Sequence, residues 1–473
     1  MKKQTLTILV VMLFVSLATK AGGLMTNTNY HIAFDRMMAR GATFDIDAAY
    51  SNPAGLAWGH EGWQLSLNFQ KPWQNRDIET SIPGFLGSDF KKKYEGVASA
   101  PIVPALFAAY KKDRVALSAM IGIVGSGGFV KYDDGVPMFN VPIAALMASS
   151  LTAKGLTPQA ADPTLGFYSL NSEMKGKQYI YGGQLNLTYK ITDFLAAAVG
   201  IRANYYDGYY RGHVVATASD YTKAAFAAAG ASVDQLLALR LDCTQRGWGF
   251  NPIVALDFHQ GPLTVAARYE FRTKIDVPND TEELTATVAG MTQEQVAAQF
   301  GTKMAAYQDG VKTRYDMPSL LSVAVGYEFT PQLRATAEYH FFDDKNAKMA
   351  GDRQNTLEHG TNEFLLGVEY DINDKFTVSC GGQRTDYGLS DGYQQHTSFA
   401  CDSYSFGLGG AVNLTEKLRL NVGYFMSIYS DYTKSVAAGD PTKGQGYQAT
   451  GFAGEDVFSR TNYVLGVGVD YKF

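Results

Sequence analysis

The chain has 473 residues, a net charge of −5 and no long basic run, which argues against nucleic acid as a partner. It carries 29 Tyr, 27 Phe and 48 Gly at a mean hydropathy of −0.13, so it is rich in strand formers yet not hydrophobic overall. Past the first residues no segment approaches the ~18 uninterrupted apolar residues of a spanning helix. A helical membrane protein is thereby set aside, leaving an exported soluble protein or a membrane β-barrel, whose alternating faces average to such a hydropathy.

Lys2 and Lys3 precede an apolar run from Leu6 to Leu17 that gives way to small residues at Ala18 and Ala21. That is the pattern of a secretory signal peptide over residues 1–21. Residues 22–61 follow without alternation. They carry several charges and also Ile32, Phe34, Met37, Met38 and Phe44, apolar residues that a disordered tail has no use for. Near their end stands "AAYSNPAGLA". Pro53 fixes its own φ and bars Asn52 from the helical region, while the Asn52 side chain can bond nearby backbone. Ala54, Gly55 and Ala57 permit close approach to a wall. The segment reads as a hatch folded into a lumen.

From residue 62 to 473, period-two alternation predicts about fourteen strands, near 63–71, 101–110, 114–124, 177–190, 194–207, 247–258, 262–275, 317–329, 332–343, 362–371, 375–385, 402–413, 417–429 and 460–473. Leu263, Val265, Ala267, Tyr269 and Phe271 form one apolar face, and Arg268, Glu270 and Arg272 stand on the other. Apolar faces that end in Tyr or Phe fit the aromatic girdles of a membrane barrel, and the even strand count puts both barrel ends on one side. Short connections such as "KKDR", "KITD", "HQGP" and "NLTEK" alternate with long ones, as periplasmic turns alternate with extracellular loops. The lumen-facing Arg268, Arg272, Arg334 and Glu338 read as an ion-pair network bracing barrel or hatch, because buried charges need partners.

The third strand, "RVALSAMIGIVGSGGFVKY", gathers Gly122, Gly125, Gly127 and Gly128 at its upper end, where glycine marks a bulge, a bend or the start of the long loop. Within the long loops, residues 141–151, 221–241 and 293–307 place apolar side chains at helical spacing. Cys380 and Cys401 fall on neighbouring predicted strands, where one disulfide or two unpaired apolar thiols fit equally. The seven histidines show no metal spacing and no Gly-x-Ser-x-Gly setting surrounds a nucleophile, so neither catalysis, a metal nor a cofactor is expected.

"TNTNYHIAFDRMMARGATFDIDAAYSNPAGLA", followed directly by a first strand, resembles the N-terminal hatch of the FadL family of outer-membrane transporters for long-chain fatty acids and other hydrophobic compounds. Asn52, Pro53 and Ala54 match that family's Asn-Pro-Ala hatch sequence, and Gly55 completes the hatch motif here. The last strand, with Tyr463, Leu465, Val467, Val469, Tyr471 and Phe473 at every second place, resembles the C-terminal signature read by the barrel-assembly machinery. The resemblance implies an all-β fold, a transmembrane antiparallel barrel of about fourteen strands plugged by the hatch, in the outer membrane of a Gram-negative bacterium. It also implies a lateral gap at the third-strand glycines Gly122, Gly125, Gly127 and Gly128. Helices in the loops after the fifth and seventh strands would capture a fatty acid-like ligand at Phe226, Leu236, Leu237, Val296 and Phe300. The function implied is passive uptake of a hydrophobic molecule and its sideways release into lipid. The alternatives are a general porin, a surface receptor, and an outer-membrane hydrolase using His213, His359 or His396.

Overall fold

The structure, a computed structural model, describes Leu24, residues 30–100 and residues 102–473. The signal peptide expected over 1–21 lies outside the described residues, as do Gly22, Gly23 and residues 25–29.

Fourteen antiparallel strands close a barrel. They are β1 (Gly62–Phe85), β2 (Val103–Lys112), β3 (Val115–Tyr132), β4 (Tyr168–Lys190), β5 (Leu195–Ala218), β6 (Gln235–Gln260) and β7 (Leu263–Glu270). The second half comprises β8 (Leu320–Glu328), β9 (Leu333–Phe342), β10 (Thr361–Asp371), β11 (Phe376–Asp386), β12 (Ser403–Asn413), β13 (Leu418–Tyr429) and β14 (Gly454–Lys472). Closure is made by β1 on β14, from Gln64 opposite Lys472 to Ser81 opposite Glu455. Every expected strand is present, and every short connection is a tight turn at one end of the barrel.

The outer face explains the solvent. Leu65, Leu67 and Phe69 on β1, Leu185 and Leu187 on β4, and Leu465, Val467 and Val469 on β14 are all exposed. A continuous apolar belt of this kind far exceeds what water tolerates. Trp63, Phe329, Phe376 and Phe473 edge it at the turn end, and Trp73, Trp248, Phe364 and Tyr404 at the other. Tyr463 to Phe473 spans eleven residues of tilted strand, roughly 25 Å, the height of a membrane barrel's belt. Above it β1 and β3–β6 continue as a wall whose outer face carries ion pairs such as Lys91–Glu79 (2.8 Å) and Lys175–Glu173 (2.6 Å).

Three loop helices, α3 (Pro137–Ala153), α4 (Asp220–Ala228) and α5 (Gln293–Met304), pack over this raised wall. The helical reading of 221–241 is corrected. α4 stops before Gly230 (φ 76°), and Ala231 N–H bonds back to the Phe226 carbonyl. From Gln235 the chain is already β6, paired with β5 and with Asp276–Val288, itself a strand within what read as a loop. Leu236, Leu237, Leu239 and Leu241 satisfied a helical period only because α4 leads into them.

The lumen is filled by two short helices, α1 (Ile32–Met37) and α2 (Ala48–Ser51), and a 3-10 turn, Pro53–Trp58. Ile46, Ala49, Tyr50 and Leu56 pack against Phe107, Met120 and Ile180, while Phe34 and Met38 pack against Leu365, Phe425 and Val464. Burying each of the larger side chains contributes ~1.5–3 kcal/mol. Cys243, Cys380 and Cys401 form no disulfide with one another; Cys380 is exposed on the outer face, whereas Cys243 and Cys401 are buried.

Candidate functional site: hatch, cavity and a break in the wall

The hatch is held by the wall's polar inner face. His31 caps α1 by accepting from Ala33 N–H (3.1 Å), and its Nε2 meets Asp470 Oδ1 at 2.9 Å. Arg36 pairs with Glu369, which Arg334 also engages. Glu338 accepts from the backbone N–H groups of Arg40 and Gly41, both at 2.9 Å. Arg268 donates to the Tyr50 carbonyl, and Arg202 lies over the Tyr50 ring at 4.9 Å. Arg202 in turn pairs with Glu270 at 2.7 Å. Removing one partner from such a buried pair strands the other's charge, so these contacts fix the hatch's position. Arg272 stands higher, donating to the Asn346 carbonyl.

Asn52 is extended (φ −160°, ψ 95°), as the following proline requires. Its side chain does not bond nearby backbone. Nδ2 reaches the wall instead, donating to Asp257 Oδ2 (3.1 Å) and the Leu256 carbonyl (3.3 Å). The Pro53 carbonyl accepts from Thr188 Oγ1 at 2.7 Å. Ala54 is fully buried against Ala198 and Ala255. A Cβ on Gly55 would lie 2.3 Å from the Thr43 carbonyl oxygen, so only glycine fits. The four residues therefore form one anchor of the hatch on β4–β6.

A second anchor was missed from sequence. Gly367, Gly381 and Gly407 stand opposite one another on β10–β12, as do Gly409, Gly423 and Gly466 on β12–β14. Cβ atoms there would collide with α1: that of Gly381 would lie 1.9 Å from the Met37 carbonyl oxygen, and that of Gly407 2.3 Å from that of Asp35. The signal was available, since these glycines occupy inward places of alternating strands where a polar residue belongs.

The ladder between β2 and β3 is interrupted where the third-strand glycines lie. β2 pairs with β3 from Leu106 opposite Ile121 to Lys112 opposite Val115, and the segment Gly96–Ser99 pairs with β3 only from Phe129 upward. Across this seam residues 100, 102–105 and 122–128 have no ladder partner, a stretch of ~20 Å along β3. β3 keeps its pairing with β4, but through two bulges, between Ile123 and Gly125 and between Ser126 and Gly128. Gly128 takes φ 72° and Gly122 is buried, its missing Cβ 2.9 Å from Met120 Cε. The surroundings of Gly127 lie outside the described residues. Gly125 and Gly128 line a cavity of about 190 Å3 directly above α1, together with Phe34, Asp35, Pro72, Ala100 and Val103. Asp35 forms its floor, with Oδ2 buried and unbonded.

The capture residues expected in the loops are placed differently from one another. Leu236, Leu237 and Val296 are buried in the apolar cluster beneath α3–α5, and Phe226 packs on its edge under Lys154. The side chain of Phe300 lies outside the described residues. A smaller apolar pocket of about 80 Å3 lies beside them, walled by Phe139, Met174, Leu239, Leu284, Met304 and Tyr307. Burial pushes the Tyr307 phenol up, keeping it a neutral donor.

Solved structures share this fold. Over 96% of this chain and 100% of the other, it aligns with a Pseudomonas aeruginosa FadL homologue at a TM-score of 0.63 and 15% identity. The fold is that of the FadL-type barrels. The P. putida toluene transporter TodX aligns over 91% of this chain and 95% of its own at a TM-score of 0.53 and 12% identity. The Ralstonia pickettii toluene transporter TbuX aligns over 94% and 99% at 0.51 and 12%. No protein-family model and no curated protein matches the sequence.

Proposed function

We propose that the chain carries hydrophobic small molecules passively across the outer membrane of a Gram-negative bacterium, without chemical change. Ligand enters the apolar loop pocket, moves to the cavity above the hatch and leaves sideways through the seam between β2 and β3. Support comes from the shared fold with a FadL homologue and with toluene transporters. The observation that carries the reading is the coincidence of the unpaired seam with the cavity wall at Ala100, Val103, Gly125 and Gly128. A route into lipid follows physically, because apolar area captured at ~25 cal/mol per Å2 is released into water only at the same cost. The hatch's bonds to the wall on several sides weigh against the open polar lumen of a general porin. The histidines named for a hydrolase have structural partners: His396 meets Asp456 at 2.7 Å, and His213 meets Asn171 at 2.5 Å. Phe473 is proposed as the assembly signal.

The test is uptake of labelled oleate and of labelled toluene by cells expressing the wild type or Ala100→Trp, which places bulk at the seam. Uptake falls several-fold in the variant if the seam is the exit. Unchanged uptake of both probes through a folded variant would sink the route.

A further inference from the structure

Arg76 and Arg460 are direct cross-strand partners on β1 and β14, and both face inward. Like charges directly opposite one another are destabilising, and charges drawn from water need counter-charges. Lower in the barrel that need is met: Arg36, Arg40, Arg202 and Arg334 each meet a carboxylate. Arg76 and Arg460 meet none among the described residues. Arg76 donates to the Phe399 carbonyl (2.6 Å) and lies over that ring at 4.8 Å. Arg460 lies over the Tyr429 ring at 4.8 Å, and its Nε is buried without a hydrogen-bond partner.

Among the described residues no carboxylate forms an ion pair with either guanidinium. Asp35 touches the place of Gly466, six residues below Arg460 and so roughly 20 Å away along the strand. Asp456, the next inward carboxylate up β14, is taken by Thr80, Tyr447 and His396. Residues 1–23, 25–29 and 101 contain no Asp or Glu and supply no partner either. Arg460 lines the cavity above the hatch, and Arg76 lines a smaller one of about 50 Å3 that adjoins it at Gly128. Two positive charges thus stand above the seam at the top of the ligand cavity, with an aromatic ring behind each and no counter-charge.

We propose that the two guanidiniums grip the head group of an amphiphile bearing two negative charges, of the alkyl phosphate kind, with its chain lying down the cavity toward the seam. The assignment rests on the reading of this cavity as the transport site and narrows the ligand from any hydrophobe to an anionic one. Guanidinium forks match a phosphate's oxygens in pairs, and a dianion neutralises both arginines where a monoanion leaves one uncompensated.

The test is calorimetric titration of the full chain in lipid nanodiscs at pH 8, where a phosphomonoester carries close to two charges, with empty nanodiscs subtracted. Octyl phosphate, octanoate, octanol and inorganic phosphate are compared. In the wild type octyl phosphate binds tightest, octanoate roughly tenfold weaker, and octanol and inorganic phosphate weaker still. Arg460→Gln and Arg76→Gln each lower octyl phosphate affinity roughly tenfold to a hundredfold, the loss of one charge-assisted contact set, and leave octanol unchanged. Arg460→Lys, which keeps the charge and guards against misfolding, retains part of the preference. The proposal is overturned if octyl phosphate binds no tighter than octanoate or octanol, if inorganic phosphate alone binds as tightly, or if neither glutamine variant weakens it. Should uptake ignore Ala100→Trp while octyl phosphate binding still depends on both arginines, the transport route fails and the head-group assignment stands. Should uptake follow the seam with no preference for charge, the head-group assignment alone fails.

Discussion

Gly381→Ala tests the seating of the hatch. The added Cβ would lie 1.9 Å from the Met37 carbonyl oxygen and 2.6 Å from its carbon, both backbone atoms that no rotamer change can move aside. Helix α1 must therefore back away from β11. Overpacking of this sort costs about 1–3 kcal/mol. The cost falls chiefly on hatch docking, because the two tightest contacts are with α1, while the third, the Leu366 carbonyl oxygen of β10 at 2.8 Å, requires a smaller adjustment of the wall. A change of 1–3 kcal/mol raises the population of displaced hatch roughly fivefold to a hundredfold or more. The neighbouring Gly382→Ala is the control, since its nearest atom would be the Ser405 carbonyl oxygen at an ordinary 3.6 Å. Two assays read the effect: the frequency of open events in planar bilayers, and tryptic cleavage after Arg36 or Arg40 in the folded protein. Both rise for Gly381→Ala and stay at wild-type values for Gly382→Ala. Identical behaviour of the two variants, each folded, would refute the claim that the glycine bed seats the hatch.

Asn52→Leu removes the donor to Asp257 and leaves that carboxyl buried and unmatched, a cost of about 1–3 kcal/mol. Tryptic cleavage of the hatch then rises, and adding Asp257→Leu restores part of the protection; additive damage in the double variant would contradict the coupling. Asp344, in the loop after β9, is fully buried, accepts from Thr361 N–H at 2.9 Å, and has its pKa pushed up to about 7 by burial. A raised carboxyl pKa favours the folded state below the unfolded value near 4, and that advantage is lost as pH rises through about 7. The thermal midpoint of the wild type therefore falls between pH 5 and pH 8, while Asp344→Asn flattens the slope; an equal slope in both proteins would disprove the assignment.

Much of this was legible because a membrane barrel writes its geometry into every second residue. The last strand alternates from Tyr463 to Phe473 as the sequence does, and the turns at "KITD" and "NLTEK" fall where two apolar runs meet. The hatch was legible from what it lacks, since Ile32, Phe34 and Phe44 show no alternation yet are too apolar for a tail. Less visible was anything requiring register. The glycine bed exists only when Gly381 is known to stand opposite Gly367 and Gly407, and the unbalanced arginines only when Arg76 is known to stand opposite Arg460. The loop residues misled in another way: Leu236 and Leu237 follow a helical period from α4 but serve a strand, because Gly230 ends the helix between them. Asn52 was read correctly in backbone and not in side chain, since nothing local points to Asp257 some two hundred residues away.

The most direct measurement closes and reopens the proposed exit in one protein. Ala100→Cys is made in a Cys380→Ser background, because Cys380 is the exposed native thiol. Cells expressing it are treated with a bulky methanethiosulfonate reagent, and oleate uptake is followed before treatment, after it, and after dithiothreitol. Passage through the seam predicts that uptake falls on modification and returns on reduction, while the background protein is indifferent to both. Complete modification of the introduced thiol with uptake unaltered would mean that ligand does not leave between β2 and β3.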